Sequence, residues 1–345
     1  ALATKTIDMT GISDDDIAKA VAEVLTPLES EEKRHEKLAD WDPVEVLVPE
    51  WRYLQKPPLF AQQPNTSGLM VTEKQRGPAL HDRISRVVAV NKMKKVNAFL
   101  GFTRLDALDR VGDVANRLVK LTRNGKPTWV PATEDRGEGI FLQLNLPEVE
   151  AWEKTISDSA LWAAHRDAHR RNVWNRVSET GAKIDPDTRL PAPRYWLLHT
   201  LSHVLIREMA MSCGYGAASL SERLYGWATS PVREGAAGLL ICTTASDSEG
   251  TLGGLVALSE PIRLQDLVIR ALRRASRCSS DPVCAMRTPH DPEDFLHGAA
   301  CHCCSFASET SCEKANRFLD RRFLLTLPSA DGEPVTGFFG RPSSL

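Results

Sequence analysis

Cys278-Ser279-Ser280-Asp281-Pro282-Val283-Cys284, followed by Cys301-His302-Cys303-Cys304 and then by Cys312, puts six of the chain's eight cysteines within residues 278–312. A tetrahedral zinc site needs four thiolate or imidazole ligands at close range. Cys301 and Cys304 have the spacing of a tight knuckle, in which one turn aims both sulfurs at a single point. Cys312 precedes an expected helix over 313–325, whose N-terminal dipole favours a thiolate. Cys284 is expected to complete the set, with Cys278 as the alternative ligand. His302 and Cys303 then point elsewhere. Four protein ligands close the coordination sphere and leave no place for a catalytic water, so one structural Zn2+ is expected. A redox Cys-x-x-Cys would need a thioredoxin-like strand–helix context, which the flanking sequence does not supply.

The rest of the chain agrees with a metal rather than a disulfide framework. Its 345 residues are 42% apolar and 26% charged, an ordinary globular composition for two or three domains. A net charge of −2 excludes a polycation, so any nucleic-acid surface must be local. No run of about 18 apolar residues exists to span a membrane. No apolar leader follows Ala1-Leu2-Ala3-Thr4-Lys5, and the start without Met suggests the C-terminal portion of a longer protein. Clustered cysteines without a secretory signal point to a reducing, cytoplasmic compartment.

The expected fold class is α+β: mixed, helix-rich, with a C-terminal zinc-binding module of four cysteine ligands. Residues 1–80 read as an acidic, partly irregular segment. It has a helical face at Ile17, Val21, Val24 and Leu25, irregular chain from 51, and a short strand at 69–72. Residues 81–190 form a basic α+β region with strands at 83–90, 128–131 and 139–144. Helices are expected there at 110–122 and 150–179. Residues 191–330 hold an apolar helix at 192–211, a second helix at 219–225, a strand at 238–243 apolar on both faces, and an amphipathic helix at 261–277. Residues 331–345 form a tail.

Several chemistries are absent. No Walker-type GxxxxGK[ST] loop occurs, and Gly250-Thr251-Leu252-Gly253-Gly254 lacks the phosphate-binding lysine, so it reads as a turn. His199 and His203 share a helix face, but Thr200 stands where a zincin has glutamate. They read as core-facing or hydrogen-bonded rather than as an acid/base pair with Asp247 or Glu249. Glu134, Arg136 and Glu138 read as an internal ion-pair network. No cluster of acidic metal ligands suggests a nuclease.

The segments Leu198-His199-Thr200-Leu201-Ser202-His203, Gly214-Tyr215-Gly216-Ala217 and Ser219-x-x-Glu222-Arg223 belong to a longer pattern. It continues through Thr243-x-Ala245-Ser246-Asp247, Gly298-Ala299-Ala300-Cys301-His302-x-Cys304, Thr310-Ser311-Cys312-Glu313 and Leu319-Asp320-Arg321. The pattern resembles the helicase-associated zinc-binding domain named after the repair helicase MrfA, over about residues 195–325. With Glu50-Trp51-Arg52, Gly101-Phe102-Thr103-Arg104 and Glu134-x-Arg136-Gly137-Glu138-Gly139-Ile140-Phe141, the chain resembles the DrmB family of the bacterial anti-phage system DISARM. That resemblance implies a helicase partner resembling DrmA, which carries the ATPase motors, and a role in engaging invading DNA. The family's extreme N-terminus is absent here, and Cys303 adds a sulfur to its Cys-His-x-Cys pattern.

Residues 83–126 carry eleven Lys/Arg against three Asp and no Glu. Arg83, Arg86, Lys92, Lys94, Lys95, Arg104, Arg117, Lys120, Arg123 and Lys126 are therefore the expected DNA-binding residues, since such patches attract phosphate irrespective of sequence. A second cluster, Arg166, His169, Arg170, Arg171 and Arg176 with Trp162 and Trp174 interleaved, reads more readily as a helix face. The expected function is a non-catalytic accessory subunit that binds DNA, scaffolds a helicase, or both. The alternatives are a phosphodiesterase-like enzyme and an interaction scaffold. Neither a membrane nor a small-molecule substrate is expected.

Overall fold

The computed structural model describes residues 44–55, 69–78, 80–99, 101–102, 119, 121, 129–175, 185–243, 254–287, 289, 296–329 and 333–344. In chain order the elements are α1 (Val44–Gln55), β1 (Met70–Lys74), β2 (Ile84–Ala98), β3 (Ala132–Leu144), α2 (Leu146–Ser157) and α3 (Ala160–Trp174). There follow α4 (Pro193–Cys213), β4 (Leu220–Trp227), β5 (Ala236–Thr243), α5 (Gly254–Ala257), α6 (Pro261–Ala275) and α7 (Arg321–Leu324). The expected helix at 17–25, that at 110–122 except for Val119 and Leu121, and the Gly-rich turn at 250–254 except for Gly254 fall outside the described residues; Val119 forms an antiparallel bridge with Phe102.

Among the described residues, the five strands make one antiparallel sheet in the order β1-β2-β3-β5-β4, confirming the α+β class. β5 is buried at every position because the sheet is covered on both faces. On one face Ile140, Leu142, Leu239 and Ile241 pack with Leu197, Leu201 and Leu205 of α4 and Leu264 and Leu267 of α6. On the other, Val88, Val90, Phe141, Tyr225 and Leu240 meet Trp51 and Leu54 of α1. The alternation of these residues along each strand is the period-two consequence of a pleated backbone. Gly238 lets α1 dock: a Cβ there would lie 2.6 Å from the Trp51 ring.

Three expectations are corrected. The chain from 51 is not irregular, because α1 extends to Gln55 with Pro49 inside it; proline removes an N–H from the helix ladder and masks the pattern. Residues 220–227 are a strand, not a helix, buried on both faces and paired along β5. Residues 313–320 are turns with left-handed backbone at Ala315, Asn316 and Phe318, so only the single turn Arg321–Leu324 is helical. The polar segment 150–179 also divides, where the Ser159 hydroxyl caps α3 by accepting from the Trp162 N–H.

α4 runs through the middle and is buried almost all round, its apolar residues interrupted by buried polar ones such as Arg194, His199, His203 and Glu208. Its Trp196 contacts the rings of Trp162, His165, Phe318 and Phe323 at centroid separations of 4.4–6.1 Å. Beneath these rings Asp320 is wholly buried, with Oδ2 2.8 Å from His165 Nε2 and 2.7 Å from Arg322 Nη2. Burial works to raise the Asp320 carboxyl, but Arg322 and then His165 outweigh it and hold it well below the usual carboxylate range. Gly298 is required there, since a Cβ would sit 2.0 Å from Asp320 Oδ2.

Asp320→Asn would leave the Arg322 guanidinium buried without its counter-charge. Breaking such a pair costs about 3–5 kcal/mol. The urea midpoint of unfolding should fall accordingly, with little change in the slope of the transition.

Candidate metal centre

Cys278 leaves the C-terminal end of α6, and Cys284 sits in a 3-10 turn over Pro282–Met286 capped by Asp281. Cys301 and Cys304 occupy one turn, where the Cys301 carbonyl accepts from the N–H groups of Cys304, Ser305 and Phe306. Together these segments bring the four sulfurs within 4.8 Å of one another. The Cys278–Cys301 separation is 3.5 Å, Cys301–Cys304 3.6 Å and Cys284–Cys304 3.8 Å. Four sulfurs about 2.3 Å from a tetrahedral zinc ion stand about 3.8 Å apart, so the donor set fits one structural zinc.

The surroundings fit the charge. Four thiolates around a dication leave a net −2, and Arg321, itself wholly buried, points Nη2 at Cys284 Sγ from 3.4 Å. The same guanidinium donates to the carbonyls of Ala275 (2.7 Å) and Ala299 (2.9 Å), binding the end of α6 to the knuckle strand. The Ser305 hydroxyl donates to Cys304 Sγ at 3.4 Å, and the Cys301 N–H does so at 3.3 Å. Among the sulfurs, the hydrogen bond from Cys284 draws the Cys304 thiol down to about 4, while the same bond and burial push Cys284 up.

Cys312, expected as a ligand, does not join this cluster; its loop is tied to β4, where the Glu222 N–H donates to the Ser311 carbonyl at 3.1 Å and the Glu313 N–H to Glu222 Oε1 at 2.9 Å, and Cys278 stands in its place. Cys303 is exposed, and His302 packs on Phe306, as the convergence of Cys301 and Cys304 requires. Arg207 of α4 fixes the knuckle by donating to the carbonyls of His302, Cys303 and Phe306.

Cys312 belongs to a second group with His199, His203 and Glu222, whose ligand atoms also lie within 4.8 Å of one another. His199 Nε2 is 3.1 Å from Cys312 Sγ and 3.0 Å from Glu222 Oε1. His203 Nδ1 donates to the Ser305 carbonyl at 2.9 Å, so its Nε2, 3.6 Å from Glu222 Oε1, carries a lone pair when neutral. Burial raises the Cys312 thiol, but the imidazoles of His199 and His203 bring it down to about 6. Burial lowers His199, yet Glu222 and Cys312 lift it to about 10. Glu222 escapes a reading of 219–225 as a helix; its inward placement comes from the pairing of β4 with β5. Asp247 and Glu249 lie outside the described residues.

Of the ten basic residues expected at DNA, Arg104, Arg117, Lys120, Arg123 and Lys126 lie outside the described residues. Arg83 pairs with Glu148 at 2.9 Å and lies over the Phe338 ring, and Arg86 pairs with Glu73 at 3.0 Å. Lys94 pairs with Glu134 at 2.6 Å, and Lys92 is exposed while Lys95 is half-buried. Glu138 leaves the expected ion-pair network with Glu134 and Arg136 and instead accepts from the N–H of Leu255. In the second basic cluster Trp162 and His169 are core, Arg170 pairs with Asp187, and Trp174 is 60% exposed; Arg176 lies outside the described residues.

Cys278→Ser or Cys284→Ser should each release one zinc per chain, measured by elemental analysis after gel filtration, whereas Cys303→Ser should retain it. Arg321→Gln should weaken zinc binding about 10–100-fold in a chelator competition, as loss of groups that orient metal ligands commonly does.

Residues 201–305 match the family model of the MrfA Zn-binding domain. The chain is 32% identical over 249 residues to DISARM protein DrmB of Bacillus paralicheniformis, an alignment covering 70% of this chain and 41% of that protein. It thus spans about two fifths of the length of that curated relative. A structure described as the DUF1998 helicase MrfA bound to DNA aligns over 72% of this chain and 24% of its own, at 12% identity and a TM-score of 0.29. With its four-cysteine centre formed by Cys278, Cys284, Cys301 and Cys304, the chain is a DrmB-type protein carrying an MrfA-type Zn-binding domain.

Proposed function

We propose that this chain is a non-catalytic accessory subunit in anti-phage defence, held in shape by zinc, that docks on a DrmA-type helicase and contacts DNA. The observation carrying the proposal is the similarity to DISARM protein DrmB across 70% of the chain, together with the closed four-cysteine centre. Four protein sulfurs leave a zinc ion no open position, which supports a structural use of the metal. The only other group of metal-ligating side chains among the described residues has His199, His203 and Glu222 entirely buried, an arrangement unsuited to receiving a phosphodiester.

The DNA contact is assigned to the outer part of β2 and β3. There residues 93–98 pair with 132–137 beyond the reach of β1 and β5, forming a two-stranded ribbon. Lys92, Lys94 and Lys95 lie on it or at its base. Beyond its end Phe99, Phe102 and Trp129 are exposed by 49%, 48% and 62%. Lysines beside exposed rings suit an unpaired strand, because phosphates meet the cations while bases stack on aromatic faces. Arg83 and Arg86 tie the start of β2 to α2 and β1 through Glu148 and Glu73 and are given a structural part instead, whereas the Lys94–Glu134 pair lies within the ribbon, where phosphate can replace the carboxylate.

Two experiments test this reading. Co-expression with the helicase, nuclease treatment and size-exclusion chromatography at moderate salt should give co-elution; separate elution would sever the link and bring the stand-alone enzyme forward. Reversing Lys92, Lys94 and Lys95 to Glu should weaken DNA binding and reduce the slope of log affinity against log salt by about 0.7–0.9 for each phosphate no longer neutralised. Binding unchanged across the salt series would remove the ribbon from the interface.

A further inference from the structure

We propose that His199, His203, Glu222 and Cys312 form a second metal centre, separate from the four-cysteine cluster, that takes one divalent late-transition cation such as zinc. The donors arrive from three elements. His199 and His203 stand one turn apart on α4, Glu222 projects from β4, and Cys312 lies in the loop after the knuckle. Zinc bonds of about 2.0 Å to nitrogen or oxygen and about 2.3 Å to sulfur require donor separations of about 3.3–3.6 Å. The separations from His199 Nε2 to its two neighbours and from His203 Nε2 to Glu222, 3.0–3.6 Å, fall around that range.

A hydrogen-bond network alone does not satisfy these atoms. His199 Nε2 holds at most one proton, yet Cys312 Sγ and Glu222 Oε1 both face it. His203 spends its Nδ1 proton on the Ser305 carbonyl, and its Nε2 finds no hydrogen-bond partner although His203 is 0% exposed. Glu222 Oε2 is likewise buried without a partner. Buried polar atoms rarely stay unpaired, and buried charges are held by counter-charges or metals. Two neutral imidazoles, a carboxylate and a thiolate sum to −2, so a dication leaves the group neutral in the core.

The outer contacts are those of ligands already oriented. The Ser305 carbonyl fixes the His203 tautomer that presents Nε2 inward. Cys312 Sγ accepts from the backbone N–H of Lys314 at 3.3 Å and of Asn316 at 3.2 Å. Left-handed backbone at Ala315 lies on the turn that brings the Asn316 N–H back to the sulfur. Glu222 Oε1 accepts from the Glu313 N–H at 2.9 Å. With four protein ligands the centre is structural, clipping the sheet, α4 and the 311–317 loop together. It meets the first centre at Ser305, whose carbonyl holds His203 and whose hydroxyl donates to Cys304.

Native mass spectrometry of the purified full chain, with elemental analysis to name the metal, tests the proposal. The expected result is two ions in the wild type, one in His203→Gln and in Cys312→Ser, and one in Cys284→Ser. A single ion in the wild type, unchanged by His203→Gln, overturns it. Should those variants fail to fold, X-ray absorption at the metal edge of the wild type decides alone. A first shell mixing nitrogen or oxygen with sulfur supports the second centre, and a shell of sulfur only refutes it.

Discussion

Asp320, Arg321 and Arg322 are three successive charged side chains, all entirely buried, and the arrangement of the C-terminal half follows from keeping them satisfied. An unpaired ion in a protein interior costs several kcal/mol, so each must find its partners before the chain can close over it. Arg322 and His165 both reach Asp320, which fixes α3 against this segment. Arg321 faces the other way, to the carbonyls of Ala275 and Ala299 and to the sulfur of Cys284. Consecutive residues thereby join the aromatic core around Trp196 to the zinc cluster. Gly298 is the steric condition for that junction, because any side chain there would displace the Asp320 carboxylate.

The same constraint explains which parts of the fold could be read from residues alone. β5, α4 and α6 are long apolar or amphipathic runs whose period survives in the structure with little shift at their ends. α1 is hidden by Pro49, and β4 by Ser221, Glu222 and Arg223, polar residues set inside a strand whose neighbours cover both faces. Residues 313–325 look helical because they are rich in Glu, Lys, Arg and Leu. Their charges are instead consumed by tertiary partners, and the backbone turns left-handed three times to reach them. Long-range pairing overrides local propensity there.

For the metal site, the knuckle spacing of Cys301 and Cys304 is legible in the sequence, since it is a local property of one turn. The distant partners are not. Choosing among Cys278, Cys284 and Cys312 depends on where α6 ends relative to the 296–320 loop, and that is settled by Arg321 and by the turns around Asn316. Glu222 carries no local mark at all. Its inward placement depends on β4 pairing with β5, a contact made only after the sheet has assembled.

Magnitudes favour reading metal and fold as one equilibrium. Structural zinc contributes about 10–16 kcal/mol in small zinc domains near neutral pH, while a whole domain is stable by about 5–15 kcal/mol. Without the ion, the cluster leaves a buried guanidinium beside four closely approaching thiols, and the segments 278–284 and 301–304 lose what holds them together. Arg207 and Ser305 carry that loss inward, because the knuckle is tied through them to α4, the helix on which the sheet rests. A change at the cluster therefore reaches the face of the sheet that α4 covers. The opposite face, held by Trp51 and by the Glu50–Arg223 pair, has its own packing and stands apart from it.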